Sequence, residues 1–170
     1  STARNQGIEA SSGEYVVFVD NDIALRSRGW LGQMIDVLDA SSDGGMVGPK
    51  LVYPFGQHRI QCAGAAVTPR GRIVFRGRGQ GRHDPRFVTP CEVQCLISAC
   101  VMVKRSILDL VGGFDEVFNP VEYEDLDLCY RIRSKGYSNL YEPGVEMYHF
   151  ESVTTGSTPS LPNTALIIRH

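Results

Sequence analysis

Apolar residues follow two rhythms along this chain. Tyr15 to Val19 is an unbroken β-branched and aromatic run between Gly13 and the polar triplet Asp20-Asn21-Asp22, which predicts a strand buried on both faces and central in a sheet. Ahead of it, Ala3 to Ala10 has helical propensity and ends toward Gly13; behind it, Trp30, Leu31, Met34, Ile35 and Leu38 recur at helical spacing. Strand, loop and helix in this order indicate an α/β domain. Met46 to Tyr53, Ile60 to Val67 and Ile73 to Phe75 read as further strands, the last two pairing as a hairpin across Pro69-Arg70-Gly71. Ser98 to Val103 reads as another buried strand, and Arg105 to Val111 as a short helix closed by Gly112-Gly113. Tyr123 to Ser134 predicts a longer helix, with Leu126, Cys129, Tyr130 and Arg133 on one side and Gly136 as its stop. Strands are expected at Leu140 to Tyr141 and at Val145 to Tyr148. From Thr154 onward the chain is rich in Ser, Thr and Pro, then turns apolar at Ala165-Leu166-Ile167-Ile168 without a stop signal. That stretch reads as a linker leading into a truncated element.

With 170 residues, 42% of them hydrophobic and 21% charged, the composition is that of one globular domain rather than a disordered segment. Seventeen Lys and Arg stand against nineteen Asp and Glu, so no global field draws the chain to nucleic acid or an anionic membrane. No apolar run approaches the roughly 20 residues that span a bilayer. The five cysteines (Cys62, Cys91, Cys95, Cys100, Cys129) are an odd number in a chain long enough to build a core without staples, which points to a reducing compartment and a cytoplasmic setting. Cys91, Cys95 and Cys100 match no common zinc spacing and read as ordinary thiols.

Four features could carry chemistry. Asp20 and Asp22 follow a buried strand, where open α/β sheets bind ligands, and their oxygens suit Mg²⁺ or Mn²⁺; a turn would use the same residues. Glu122, Glu124, Asp125 and Asp127 cluster at the opening of a helix, where the macrodipole favours negative charge, yet one of them near an apolar wall could act as a general base. His149 ends an apolar segment and could reach a metal, or simply be a satisfied polar residue. Arg70 to Arg86 holds six arginines among alternating glycines and reads first as a mobile, solvated loop, second as a phosphate-facing one.

Taken in order, the motifs resemble a family 2 glycosyltransferase of the GT-A fold, a mixed sheet flanked by helices. The match runs through Ala3-Arg4-Asn5-Gln6-Gly7, Val19-Asp20-Asn21-Asp22, Gly29-Trp30-Leu31, Val47-Gly48-Pro49-Lys50, Val111-Gly112-Gly113-Phe114-Asp115, Glu124-Asp125-Leu126-Asp127 and His149-Phe150-Glu151-Ser152. The resemblance implies a metal-dependent, inverting transfer of a sugar from a nucleotide-sugar to a hydroxyl acceptor. In that reading Asp20, Asp22 and His149 hold a divalent cation, Mn²⁺ or Mg²⁺, with Asp22 the more direct ligand. Asp125 is the general base with Glu124 as fallback, and Arg4, Asn5 and Asp20 serve donor and cofactor binding. The acceptor would be a carbohydrate or a lipid-linked sugar, with no nucleic-acid partner. Residues 1–155 would form a partial domain, N-terminally truncated because the family's base- and ribose-binding units precede the matched motifs, and 156–170 a linker. Self-association through an exposed sheet edge, and peripheral association with the inner face of a membrane through flanking segments, are further expectations. A non-catalytic carbohydrate-binding module of the same fold, a nucleotidyltransferase and an RNA-binding segment working through the arginine-glycine stretch are the alternatives.

Overall fold

The computed structural model describes residues 1–119 and 123–150. Glu122, the end of the His149-Phe150-Glu151-Ser152 motif and the whole of 154–170 lie outside the described residues. The first half is built from helix α1 (Thr2–Ala10), strand β1 (Tyr15–Val19), strand β2 (Ile23–Leu25), helix α2 (Trp30–Ala40) and strand β3 (Gly44–Val52). Short strands β4 (Ile60–Cys62), β5 (Ala65–Val67), β6 (Ile73–Phe75) and β7 (Cys91–Val93) come next. They lead to β8 (Cys100–Lys104), helix α3 (Arg105–Val111), helix α4 (Glu124–Ser134) and the long strand β9 (Ser138–His149).

The principal sheet runs β1-β8-β3-β9-β2, with β4 added beside β3 and β7 beside β9. Its centre is β3, whose nine residues are all buried because helices cover both faces. Alternation along the strands sorts side chains into two cores. Met46, Val101 and Val103 face Ile107, Leu128 and Ile132 from α3 and α4. Val47, Leu51, Met102, Val145 and Met147 face Met34 and Leu38 from α2. Gly45 lies where α4 crosses the sheet, and a Cβ there would come within 2.7 Å of the Ile132 side chain.

Several expectations need correction. Strand β1 is not central: among the described residues it pairs only with β8, and its burial alternates, with Val16 and Phe18 inside and Val19 46% exposed. The run itself was legible; its neighbours were a matter of distant pairing. The predicted strand from Ile60 to Val67 is broken at Ala63-Gly64, so that β4 stays in the main sheet while β5 leaves to pair with β6. Gly64 makes that departure with φ +98°, under the side chain of Val93. Conversely, the two strands expected at 140–141 and 145–148 are one, continuous through Glu142-Pro143-Gly144, because the pairing with β3 shifts register between Pro49 and Lys50. The hairpin across Pro69-Arg70-Gly71 forms as expected, with Ala65 opposite Phe75 and Val67 opposite Ile73. Strands β2 and β7, three residues each, carry no sequence signal of their own and exist through their pairing with β9.

The arginine-glycine stretch is solvated only in part: Arg70, Arg72, Gly79, Gly81 and Arg86 are exposed, while the rest is anchored to the sheet. Its backbone follows β4, the amide of Ile60 donating to the carbonyl of Gln80 at 2.9 Å and that of Gly79 to Ile60 at 2.8 Å. Arg76 lies over the rings of Phe87 and Tyr141, at 4.9 and 5.4 Å, and donates to the carbonyls of Ala63 and Arg86. Lys50, 2% exposed, donates to the carbonyl of Arg82 at 2.9 Å and sits 3.7 Å from Glu146, which also pairs with Arg26 and Arg82. None of the five cysteines is in a disulfide, and four of them are buried.

Gly64→Ala tests the break between β4 and β5. The added Cβ would meet Val93 at 2.7 Å on a backbone that side chains rarely adopt, so a loss of about 2 kcal/mol and a fall in melting temperature of roughly 4–8 °C are expected. Gly7→Ala, in α1 with nothing within 4 Å of the new atom, should leave the melting temperature unchanged or raise it.

Candidate active site

The residues singled out from sequence meet where β1, β3 and β9 end. The turn Asp20-Asn21-Asp22 leaves β1 and enters β2, which pairs with β9 so that Ile23 lies opposite His149. Asp20 is fixed by its amide donating to the Ala99 carbonyl at 2.8 Å, and Asp22 by its carbonyl accepting from the Phe150 amide at 3.0 Å. The two carboxylates part company. Asp20 Oδ1 accepts from Arg4 Nη2 at 2.7 Å, whereas Asp22 Oδ1 lies 3.5 Å from His149 Nε2.

His149 is oriented by a residue that sequence reasoning missed. The Gln61 amide nitrogen donates to the His149 carbonyl at 3.3 Å, which leaves Gln61 Oε1 to take the proton of His149 Nδ1 at 2.6 Å. The other ring nitrogen, Nε2, is thereby turned toward Asp22. The one available signal was a polar residue inside the buried apolar strand Ile60-Gln61-Cys62, a placement that requires a partner.

Arg4 joins the strand end to α4. Its other guanidinium nitrogen, Nη1, donates to Glu124 Oε1 at 2.7 Å, and the plane lies 5.2 Å from the Phe114 ring. Glu124 is almost wholly buried, and its second oxygen has no hydrogen-bond partner among the described residues. Asn5 acts on the backbone instead. Its side-chain amide donates to the Phe114 carbonyl and accepts from the Phe114 amide, both at 2.8 Å, strapping α1 to that loop.

Asp125 opens α4 behind Tyr123, which holds a left-handed φ of +71°. Its Oδ2 accepts from the Ser98 amide at 3.2 Å and its Oδ1 from the Leu126 amide at 2.8 Å. Burial, reinforced by the charge of Glu124, pushes its pKa up to about 6 against the two backbone amides and Arg4. Asp127, the remaining acid of this run, is structural: buried, it pairs with Arg131, which also donates to the carbonyls of Val111 and Gly113.

Two hollows meet these groups. One, of about 380 Å³, follows the outer edge of β1 from Tyr15 to Asp20 and includes Arg4. The other, of about 360 Å³, holds Asp125 and His149 together with Gln61 and walls from β3, β6 and α4. Asn5 lines neither. The structure thus brings Asp22 to His149 and His149 to the cavity of Asp125, while Asp20 turns to Arg4. No group of three His, Cys, Asp or Glu side chains among the described residues is close enough to hold a metal.

Residues 1–155 match the family described as "Glycosyltransferase like family 2". The N-acetylglucosaminyl-diphospho-decaprenol L-rhamnosyltransferase of Mycobacterium tuberculosis is 37% identical over 156 residues, covering 86% of this chain and 50% of the relative. Among solved structures, GalNAc-T7 with UDP, GalNAc and Mn²⁺ superimposes with a TM-score of 0.74 at 14% identity, over 99% of this chain and 34% of the other. The mannosyltransferase PcManGT from Pyrobaculum calidifontis, in complex with GDP-Man and Mn²⁺, has a TM-score of 0.57 at 19% identity, over 90% and 36%. The chain spans 12% to 50% of the length of the curated relatives it matches. The mixed sheet flanked by helices is therefore the GT-A glycosyltransferase architecture.

Proposed function

The chain belongs to the glycosyltransferase like family 2, and on that premise we propose that it forms the catalytic and acceptor portion of an enzyme moving a sugar from a nucleotide-sugar to a hydroxyl, with inversion at the anomeric carbon. The observation that carries this reading is the shared cavity of Asp125 and His149: a carboxyl group whose pKa is raised to about 6 lines it together with an imidazole whose Nε2 faces Asp22.

In this reading Asp125 takes the proton of the acceptor hydroxyl as its oxygen bonds to the anomeric carbon, while the bond from that carbon to the donor diphosphate breaks on the opposite side. The desolvated carboxylate is a stronger base than an exposed one, yet it remains ionised at neutral pH. Glu124, tied to Arg4, is the fallback base. Arg4 has one face toward the hollow along β1 and its charge offsets both Asp20 and Glu124, which suits a group that also meets a donor diphosphate.

Asp22 and His149 fit a divalent cation. One carboxylate oxygen and one imidazole nitrogen, with the other ring nitrogen held by Gln61, are the donors Mn²⁺ accepts, and two protein ligands leave positions for phosphate oxygens and water. Mn²⁺ or Mg²⁺ there would offset charge on the departing diphosphate. Asp20 would join only if released from Arg4. The rhamnosyltransferase relative is named for a lipid-linked acceptor, and a carbohydrate or lipid-linked acceptor is our reading here too. None of the described helices is long and apolar enough to cross a membrane. Cysteines kept out of disulfides, together with a lipid-linked acceptor, suit an enzyme working in the cytoplasm at the inner membrane face. In this reading residues 1–155 are its partial glycosyltransferase domain.

The test is a nucleotide-sugar panel with Mn²⁺ and the full-length protein containing these residues, followed by release of nucleoside diphosphate. Acceptor-dependent release with inverted product configuration by NMR is the expected result. Retention, or absence of release with every donor, would reject it.

A further inference from the structure

One arginine of the glycine-rich stretch, Arg82, opens on a hollow apart from the candidate active site. This hollow holds about 520 Å³ and is lined by Arg26 and Ser27 beyond the end of β2, by Arg82 and His83, and by Gly144 and Glu146 of β9. It shares no lining residue with the hollow along β1 or with the cavity of Asp125 and His149. Ile23 pairs with His149, and Arg26 lies three residues further on, roughly 10 Å along an extended chain. The cation position proposed at Asp22 and this hollow are therefore different places.

Positive charge here exceeds what the acids offset. Glu146 is the one carboxylate lining the hollow, and three cations share it: Arg26 Nε at 2.8 Å and Arg82 Nη1 at 3.4 Å on the same oxygen, and the buried Lys50 ammonium at 3.7 Å from the other. Glu142 also acts on Lys50, but its Oε1 accepts from the Gly144 amide at 2.6 Å, and the two acids together leave one cation unmatched. Burial holds the Lys50 ammonium below its ordinary pKa in spite of both. The Arg26 and Arg82 side chains are only about a quarter exposed, so water and salt screen this surplus less than on an open surface. Both guanidinium groups also have donors to spare. Arg26 spends Nε on Glu146 and Nη1 on the Tyr148 hydroxyl, and Arg82 spends Nη1 alone. Arg26 Nη2, and Nε and Nη2 of Arg82, have no hydrogen-bond partner among the described residues.

We propose that this hollow binds a phosphate group, held by Arg26 and Arg82 with the His83 ring as a further donor. Two guanidinium forks that converge on one carboxylate oxygen have their remaining N–H groups close together, and a phosphate offers enough acceptor oxygens to meet both forks at once. A neutral ligand would leave the unmatched charge as it is. The site is additional to the donor diphosphate of the transfer reaction, and it stands on the charges and donors of this hollow alone.

The experiment is calorimetric titration of the full-length protein containing these residues with inorganic phosphate, at fixed ionic strength and with a chelator present so that no metal carries the anion. Saturable binding is expected. Arg82→Gln should weaken it about tenfold or more, and Arg26→Gln should do the same, so the result does not hang on one variant. Arg82→Lys keeps the charge without the fork and should fall between wild type and Arg82→Gln. Arg72→Gln removes the same charge from the exposed turn between β5 and β6 and should change nothing. Glycerol 3-phosphate, and phosphatidylcholine vesicles with and without phosphatidic acid, separate two sources of the group. Retention on phosphatidic acid that Arg82→Gln abolishes assigns a lipid headgroup, and binding of the soluble phosphates alone assigns a free phosphate compound. No saturable binding, equal affinity in wild type, Arg82→Gln and Arg26→Gln, or an equal loss in Arg72→Gln overturns the proposal. Turnover is not read, so this outcome and that of the donor panel are independent.

Discussion

Asp125→Asn is expected to lower turnover by about 10²–10⁴ while raising the melting temperature at neutral pH. The two effects share one cause. The carboxyl has a pKa of about 6 in the fold against an ordinary value of 3.8, so the folded state holds its proton more tightly than the unfolded chain. Stability from this group is full at low pH and is lost as pH rises through about 6, leaving the ionised fold strained at pH 7 by an amount of the order of 1–3 kcal/mol. Asparagine removes the charge and with it that cost, although its NH₂ group cannot accept and leaves one of the Ser98 and Leu126 amides without its acceptor, which offsets part of the gain. The rate has the opposite dependence: the base acts ionised, so the wild-type rate should fall about tenfold per pH unit below about 6, and the variant should lose this acid limb. A carboxylate that only capped α4 would give a small stability loss and unchanged turnover. Single-turnover rates and melting curves on one sample, across pH 5 to 8, separate the two. Full turnover in Asp125→Asn with its loss in Glu124→Gln would move the base to Glu124.

The second large effect is expected at Asp22. Asp22→Ala should weaken Mn²⁺ binding, followed by the EPR signal of the free ion, at least about 100-fold and abolish metal-dependent transfer, since one of two protein donors is gone. Gln61→Leu should cost about 10–100-fold through His149, whose ring loses the acceptor that fixes its tautomer. Asp20→Ala should cost less than Asp22→Ala, because the Asp20 carboxylate already has Arg4 as its counter-ion. Transfer by Asp22→Ala that persists in excess chelator would end the metal reading.

What the sequence disclosed divides along the distance between interacting residues. The apolar run of β1, the spacing of α2, the buried strand β8 and the acidic start of α4 are local patterns, and each was found where it was expected. Pairing is not local. Nothing in Tyr15 to Val19 says that, among the described residues, only β8 lies beside it, and nothing in Cys91-Glu92-Val93 says that β9 recruits it as a strand. Composition misled at Arg76, whose charge suggested solvent; the rings of Phe87 and Tyr141, eleven and sixty-five positions on, supply the surface it covers. The same division holds in the site. Asp125, Asp22 and His149 stand out by residue type and by the order of the motifs around them. That Asp20 turns to Arg4, that Ser98 supports Asp125 and that Gln61 sets the His149 tautomer are consequences of the folded geometry.

The parallel union of β3 with β9 has a consequence in time. Gly44 pairs with Ser138 and Val52 with Tyr148, partners more than ninety positions apart, and β9 is the last strand of the described chain to be made. At a translation rate of about 5–20 residues per second, the 85 residues between Val52 and Ser138 take roughly 4–17 seconds to follow. Throughout that interval β3, wholly buried in the finished fold, has one hydrogen-bonding edge bare, and α2 lacks Val145 and Met147 to pack against. Closure of so distant a pair is intrinsically slow, and an uncovered apolar strand invites pairing with another chain. The nascent protein should therefore engage holding chaperones during this window, and release from them should coincide with the moment at which His149 first reaches Asp22: completion of the sheet and assembly of the site are one kinetic event.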